Sequence, residues 1–157
     1  MKFIASLLFF CFRLSAFSQT DTSIIKFNNP AVVYPVKGYS QTASVDLGTC
    51  TMLVISGQVA FDKNGNLVGK DDLSKQTEQI FSNIKSIVED AGGSMNQILK
   101  LNFYLLDVSQ IQSVRNARDK FINTAQPPAS TLVQVSKLFR DDVLIEIDAT
   151  AIIPKKK

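Results

Sequence analysis

Apolar residues recur along this chain with two spacings, and the spacing changes from one segment to the next. Residues 71–90 place apolar side chains every three or four positions, which predicts an amphipathic helix. Asp71 or Asp72 can cap its start, and Gly92 and Gly93 can end it. A second helical pattern begins at Ser109 and continues to about residue 124. Strand-like runs occupy residues 31–34, 42–46, 52–55, 98–106, 131–135 and 143–152.

The order of these elements predicts the fold class. Strands, a helix, a strand, a second helix and further strands indicate one α+β domain over residues 31–153. We expect a single-layer mixed β-sheet with two helices packed on one face. Two helices leave the other sheet face uncovered, and we expect this apolar face to be buried in an oligomer.

Residues 1–18 have the pattern of a targeting segment. Lys2 precedes an apolar run over residues 4–12, and the small residues Ala16 and Ser18 suit cleavage after Ser18. The apolar run is far shorter than the roughly 20 residues that a membrane-spanning helix needs. The pattern predicts a signal peptide and a secreted or periplasmic protein with no membrane partner after cleavage. An uncleaved N-terminal anchor is the alternative.

Cleavage would change the charge of the protein. The 157 residues include 17 Lys+Arg and 14 Asp+Glu, and loss of Lys2 and Arg13 leaves 15 against 14, or +1. Residues 19–30 are polar and predict a flexible lead-in, while residues 154–157 form a basic tail that we expect to be solvated. A near-neutral protein lacks the basic face that nucleic acids require, so we expect no nucleic-acid partner.

Missing residue types limit the chemistry. The chain has no histidine, which excludes Ser-His-Asp triads, histidine-metal sites and a two-histidine ribonuclease mechanism. Any general base must then be a carboxylate, Lys, Tyr or a held water. Cys50 would be the one cysteine left after cleavage, so no intrachain disulfide is expected. Its apolar neighbours predict a buried free thiol in preference to a reactive one.

The last predicted strand carries a row of polar side chains. Glu146, Asp148 and Thr150 alternate with apolar residues, and the period of two puts all three on one sheet face. The pattern alone favours a hydrated sheet face, and a cleft wall is the alternative.

Four short motifs occur in order along the chain. They are Gly-Tyr-Ser-Gln over residues 38–41, Ile-Ser-Gly-Gln over 55–58, Gln-Pro-Pro-Ala-Ser over 126–130 and Ile-Glu-Ile-Asp-Ala over 145–149. With the helix pattern between them, they resemble the RidA/YjgF family of imine deaminases, formerly annotated endoribonuclease L-PSP, over roughly residues 33–153. The resemblance implies a homotrimer with small-molecule clefts between subunits. It also implies hydrolysis of enamines or imines with no metal and no organic cofactor.

The resemblance gives roles to particular residues. The family's glutamate at the place of Glu146 positions a water for attack on a C=N carbon, and a carboxylate suits this task because it accepts the water's proton. Tyr39 matches a tyrosine of the family's cleft. Ser56 and Gly57 match a turn that binds ligand through its backbone, and glycine there permits close approach.

One position departs from the family pattern. The Pro-Pro-Ala of relatives is followed by an arginine that binds the substrate carboxylate through two charge-assisted hydrogen bonds, and Ser130 stands in its place. Ser130 is either a pocket residue without the anionic preference or an ordinary residue between a turn and a strand. Arg115 replaces an asparagine of the family's second helix and would restore anion binding if it reached the cleft. The alternative is that Arg115 lies on a solvated or interfacial face of the helix.

Two functional hypotheses follow from the sequence. The first is a hydrolase or deaminase that acts on an enamine, imine or related C–N compound through a water positioned by Glu146. Its substrate would be uncharged, unlike the anionic substrates usual in the family. The second is a non-catalytic trimer that binds a small ligand. Export also argues against the family's usual reaction, because those enamines arise mainly in the cytoplasm. Ribonuclease activity is the least favoured hypothesis, given the absent histidine and the near-neutral charge.

Overall fold

The computed structural model describes residues 24–155, so the predicted signal peptide and residues 156–157 lie outside the described residues. The described part of the chain forms six strands and two α-helices, with short 3-10 helices at Met95–Gln97 and Val108–Gln110. In chain order the elements are β1 Ile25–Asn28, β2 Thr42–Asp46, β3 Cys50–Gln58, α1 Leu73–Asp90, β4 Ile98–Leu105, α2 Ile111–Arg118, β5 Ala129–Gln134 and β6 Ile145–Pro154. No helix in this described part is both long enough and apolar enough to cross a membrane.

The strands form one sheet in the order β1-β2-β3-β6-β4-β5. Strands β4 and β5 pair in parallel, and every other neighbouring pair is antiparallel. The last strand along the chain, β6, is therefore central, between β3 and β4. This topology confirms the predicted single-layer mixed sheet.

Helix α1 begins and ends for local reasons. The Asp72 carboxylate accepts a hydrogen bond from the backbone N–H of Lys75 at 3.0 Å, so Asp72 is the cap and Asp71 precedes the helix. Gly92 takes a positive φ of 84° after the last turn, a conformation in which glycine is favoured. The buried residues of α1 fall on one face: Leu73, Gln76, Thr77, Ile80, Phe81, Asn83, Ile84, Ile87 and Val88.

The core lies between the helices and one sheet face. In β6, every second residue from Ile145 to Ile153 is buried and faces the helices. Phe81 of α1 is fully buried, 6.3 Å from the Phe103 ring of β4 and stacked at 5.5 Å on Phe121. Both helices belong to this one layer, as the sequence predicted.

The predicted lead-in is wrong in part. Residues Ile25–Asn28 form β1 and pair with β2, although all four side chains are exposed. Because backbone pairing stabilises this strand and side-chain burial does not, the apolar pattern gives little sign of it. The predicted strand over residues 31–34 is wrong, since this segment is irregular. Pro30 and Pro35 flank it and cannot donate to a sheet ladder.

The second helix is shorter than predicted. Asp107, and not Ser109, caps the 3-10 turn before α2, because its carboxylate accepts from the N–H of Ser109 at 2.9 Å. The α-helix ends at Arg118, and residues 119–124 continue as turns. These turns direct Phe121 onto the Phe81 ring.

The face of the sheet away from the helices is only partly apolar. Val54 is 40% exposed there and pairs with Thr150. Farther along, Asp148 accepts hydrogen bonds from Asn102 Nδ2 at 2.7 Å and from Tyr104 Oη at 3.0 Å. The expectation of an uncovered apolar face is therefore correct near Val54 and wrong around Asp148.

Candidate functional site

A cavity of about 720 Å³ opens beside the end of β3 and the start of β6. Its volume is within the range of roughly 300–1,000 Å³ that is typical of small-molecule sites. Four of the residues singled out from the sequence line it: Tyr39, Ser56, Gly57 and Glu146. They come from the loop before β2, from β3 and from β6, so the sheet topology brings them together.

A break in strand pairing shapes the cavity floor. The β3–β6 register shifts between Ile55, which pairs with Ala149, and Gln58, which pairs with Ile147. Ser56 and Gly57 occupy this bulge, and β-bulges commonly redirect side chains beside functional sites. A Cβ built on Gly57 would lie 1.8 Å from Glu146 Oε1. The missing side chain therefore makes room for the carboxylate over the bulge.

The Glu146 carboxylate is only half solvated. Desolvation raises its pKa above the usual 4.5, and the negative charge of Asp148 raises it further. No hydrogen bond or ion pair among the described residues engages the Glu146 side chain. By contrast, both oxygens of Asp148 are occupied by Asn102 and Tyr104. Glu146 is thus the carboxylate available to a water or a ligand in the cavity.

Tyr39 lies close enough to Glu146 to sense its charge. Desolvation first, and then the charge of Glu146, raise the pKa of Tyr39 above 10.0, although the side chain is 54% exposed. The phenol therefore stays protonated at neutral pH and can donate a hydrogen bond to a ligand.

Backbone and hydroxyl hydrogen bonds join the first two motifs. Ser56 Oγ donates to the Ser40 carbonyl at 2.8 Å, and the Ser56 N–H donates to the Gln41 carbonyl at 2.9 Å. The Gly-Tyr-Ser-Gln and Ile-Ser-Gly-Gln segments are consequently side by side. The same bonds fix the loop that carries Tyr39.

Ser130 and Arg115 do not line this cavity. Ser130 is exposed on the edge strand β5 and pairs with Leu101, whose own partner on β6 is Ala149. Since Leu101 and Ala149 are core residues, this register puts Ser130 on the helix side of the sheet, opposite to Glu146. Arg115 is exposed on α2. A single protomer therefore does not bring either residue to the carboxylate.

The structure adds residues that the sequence patterns did not single out. The cavity wall also includes Lys37, Gln41, Tyr34, Phe61 and Phe139. Gln41 is the last residue of the first motif, and it is fully buried with no partner for Oε1 among the described residues. The three aromatic residues lie in irregular segments, where no hydrophobic periodicity could indicate their direction.

Two other sequence expectations concern metals and thiols. The described residues contain no group of three or more Cys, Asp or Glu side chains placed to hold a metal ion. Cys50 is a free thiol at the start of β3, outside the cavity wall, and it is partly buried where full burial was expected. Its position at the strand end, opposite Pro154, explains the remaining exposure.

Comparison with known proteins gives a consistent result. The family model described as endoribonuclease L-PSP matches residues 30–153. A RutC family protein of Pyrococcus abyssi is 32% identical over 117 residues, which cover 74% of this chain and 87% of the relative. A 2-iminobutanoate/2-iminopropanoate deaminase of Salmonella typhimurium is 35% identical over 127 residues, covering 80% and 92%. The crystal structure of RidA from the Antarctic bacterium Psychrobacter sp. matches with a TM-score of 0.70 at 32% identity, covering 82% of this chain and 99% of that one.

The fold and the cavity define a small α+β protein with a half-buried carboxylate, Glu146, in a cavity of about 720 Å³. The match over residues 30–153 then identifies its family. This chain belongs to the endoribonuclease L-PSP family, which is the RidA/YjgF family that its motifs resemble.

Proposed function

We propose that this protein is a deaminase-type hydrolase of C=N compounds in which Glu146 positions and deprotonates the attacking water. The observation that carries the proposal is the Glu146 carboxylate, partly desolvated, without a protein partner among the described residues, and facing a cavity of ligand size. A raised pKa makes a carboxylate a better proton acceptor. The Salmonella relative, named for deamination of 2-imino acids, supports the same reaction class.

The proposed chemistry needs one base and no redox step. Water adds its oxygen to the carbon of the C=N group as one of its protons passes to Glu146, and Glu146 then gives this proton to the nitrogen, which forms a neutral carbinolamine. Glu146 next takes the carbinolamine's hydroxyl proton and delivers it to the nitrogen as the C–N bond breaks and the C=O bond forms, so that the carboxylate is ionised again. The products are a carbonyl compound and ammonia, or an amine if the nitrogen carried a substituent. Tyr39 would donate a hydrogen bond to the substrate during these steps.

We infer an uncharged substrate from Ser130. A serine hydroxyl offers one neutral hydrogen bond where the family's arginine offers two charged ones, and loss of such a pair costs on the order of 2–5 kcal/mol. Arg115 would offset this loss only if it reached the cavity of a neighbouring subunit, which remains a proposal.

The proposed active form is a homotrimer with its clefts between subunits. This assembly is required for Ser130 and Arg115 to take part, because within one protomer neither lines the Glu146 cavity. We further propose that residues 1–18 direct secretion or export to the periplasm, so that the mature chain acts there with no membrane or nucleic-acid partner.

The test is imine hydrolysis by the purified mature chain. An amino-acid oxidase generates 2-imino acids in the presence of semicarbazide, and an active protein lowers semicarbazone formation by removing the imine first. Wild type is compared with Glu146→Gln and Ser130→Arg. Because these imines are anionic, we expect weak activity in wild type, a further loss of about 100-fold or more in Glu146→Gln, and a gain in Ser130→Arg. Wild-type activity that persists unchanged in Glu146→Gln would overturn the mechanism.

The competing proposal is a trimer that binds a small ligand without turnover. Ser130 favours it, because the family's residue for holding the usual substrate is replaced. The two proposals separate on the fate of the ligand, which a binding protein returns chemically unchanged. RNA cleavage is ranked last, and activity that survives further purification but disappears in Glu146→Gln would reverse that ranking.

A further inference from the structure

Three aromatic side chains form a connected wall along one side of the cavity. The Tyr34 and Phe61 ring centroids are 5.7 Å apart, and those of Phe61 and Phe139 are 6.3 Å apart, both edge-to-face. We call Tyr34, Phe61 and Phe139 the aromatic wall. All three line the cavity that holds Glu146.

The aromatic wall is open on the cavity side. Phe139 is 62% exposed and Tyr34 is 40% exposed, which is high for rings of this size. Exposed rings that border a pocket beside a few polar groups are the usual lining of sites for small molecules.

Tyr34 is held in place at its backbone and at its ring. The Gln41 side-chain Nε2 donates a hydrogen bond to the Tyr34 carbonyl. The ring packs on Gly65, where an added Cβ would lie 2.4 Å from Tyr34 Cε2. The Tyr34 side of the wall is therefore formed before any ligand arrives.

Phe61 is fixed by the first helix and by a cation. Asn83 Nδ2 of α1 donates to the carbonyls of Phe61 at 3.0 Å and Val59 at 3.2 Å. The Arg140 guanidinium lies 5.0 Å from the ring centroid and is paired with Asp142. Asp142 offsets the Arg140 charge, so the pair adds little net positive charge beside the ring.

Phe139 belongs to a loop that α1 anchors. The fully buried Gln76 donates from Nε2 to the Asp142 carbonyl at 2.8 Å and accepts from the Leu144 N–H at 2.9 Å. A preorganised wall loses little conformational entropy on binding, which favours affinity.

The charges along the cavity nearly cancel. Lys37 and Glu146 are the two ionisable Lys, Arg, Asp or Glu residues among those that line it, one of each sign. Such a cavity lacks the preference for anions that an arginine bound to a substrate carboxylate would give.

We propose that this cavity is specific for small uncharged compounds that carry an aromatic ring, with the ring on the aromatic wall and the C=N group at Glu146. This specificity rests on the proposed function, since it defines the substrate class of the same site. The aromatic wall supplies the affinity, and Glu146 with Ser56 and Gly57 supplies the polar contacts.

The test measures binding of hydrolytically stable C=N compounds to the mature chain by calorimetry. Benzaldehyde semicarbazone carries the ring, acetaldehyde semicarbazone lacks it, and phenylpyruvate semicarbazone adds a carboxylate. We expect the benzaldehyde compound to bind about tenfold more tightly than the acetaldehyde compound, from two or three ring contacts. Phe139→Ala should remove most of this preference, and Phe139→Leu, which keeps apolar volume, should remove the part owed to the ring.

Phe27→Ala is the matched control. Phe27 is 70% exposed on β1 and does not line the cavity, so this variant should keep the full preference. Equal affinities for the first two compounds in wild type, tighter binding of the phenylpyruvate compound, or a Phe139→Ala protein of changed oligomeric mass would each overturn the proposal.

Failure of this proposal is distinguishable from failure of the proposed function. Binding of the stable compounds needs no turnover, so Glu146→Gln should retain the aromatic preference while losing imine hydrolysis. Imine hydrolysis without aromatic preference refutes the specificity alone. Aromatic preference with no imine hydrolysis by either wild type or Ser130→Arg refutes the catalytic proposal alone.

Discussion

At residue 146 a carboxylate lies against the backbone of a glycine, and the contact leaves no room for a side chain at position 57. In Gly57→Ala the new Cβ would lie 1.8 Å from Glu146 Oε1, so the carboxylate must move. Gly57 has no positive φ, so alanine fits its backbone and stability should change by less than about 0.5 kcal/mol. Misplacement of the base by about 1 Å should lower kcat/KM by roughly 10- to 100-fold.

A double-mutant cycle tests whether Gly57 acts through Glu146. Adding Gly57→Ala to Glu146→Gln should cost no further activity, because the two changes act through one group. Steady-state kinetics and thermal unfolding of the four proteins complete the cycle. Additive losses would mean that Gly57 acts independently of Glu146.

Glu146 should also set the pH dependence of activity. Desolvation and then Asp148 raise its pKa, so the base becomes ionised only as pH rises through this raised value. Asp148→Asn removes the second cause, and the acid limb of the kcat/KM profile should move to lower pH. Circular dichroism verifies that loss of the bonds to Asn102 and Tyr104 leaves the fold intact. An unmoved acid limb would show that another group controls the profile.

Glu146 affects stability in the opposite sense to activity, because its contribution to stability falls as pH rises. A carboxyl whose folded pKa exceeds its unfolded value stabilises the fold fully below about pH 4.5, and this contribution is lost as pH rises through the folded pKa. At pH 7 we therefore expect Glu146→Gln to have a larger free energy of unfolding than wild type. Urea titrations at pH 7 and pH 4 should show the advantage shrinking at the lower pH.

At the scale of elements, α1 anchors two of the three irregular segments that form the aromatic wall, those with Phe61 and Phe139. Its N-cap is Asp72, and Asp72→Ala should lower the free energy of unfolding by about 1 kcal/mol. Asp90 is the last residue of the same helix, where a negative charge opposes the helix dipole. Asp90→Ala should leave stability unchanged or slightly higher. Equal destabilisation by both variants in urea unfolding would contradict the capping role.

The elements differ in how far the sequence predicts them. Strand β6 and helix α1 bury one regular face, so their periodicity predicts both, whereas the strand order is known only from the structure. Strand β1 buries none of its side chains, and the segment around Tyr34 is held by Gln41 and flanking prolines, so neither has a periodic signal. The prediction of a strand at 31–34 is wrong because a short apolar run does not reveal these contacts.

At the scale of the whole molecule, the sheet face around Val54 is the surface to test for assembly. Val54 is 40% exposed on this face, and Val108, in the turn before α2, is 39% exposed. If three protomers bury the sheet face, Val54→Lys should dissociate them, because burying an unpaired charge costs several kcal/mol. Val108→Lys is the matched control and should keep the wild-type mass in light scattering. A trimer that survives Val54→Lys would place the interface elsewhere.

The sequence predicts only those residues of the candidate site that belong to recognisable motifs. The motifs indicate Tyr39, Ser56, Gly57 and Glu146, and the structure brings these into one cavity. Ser130 and Arg115 come from the same resemblance, but neither lines this cavity within one protomer, so their proposed roles require the proposed trimer. The aromatic wall comes from loops whose direction depends on Gln76 and Asn83, contacts that sequence spacing does not reveal.

The central place of β6 has a consequence for the order of synthesis. Strand β6 joins β3 to β4 but follows every other strand along the chain. Without β6, no strand pairing connects β1-β2-β3 to β4-β5, so a nascent chain that still lacks β6 cannot form the continuous sheet. Glu146 lies on that strand, so the chain gains the cavity carboxylate and the continuous sheet from the same last-made segment.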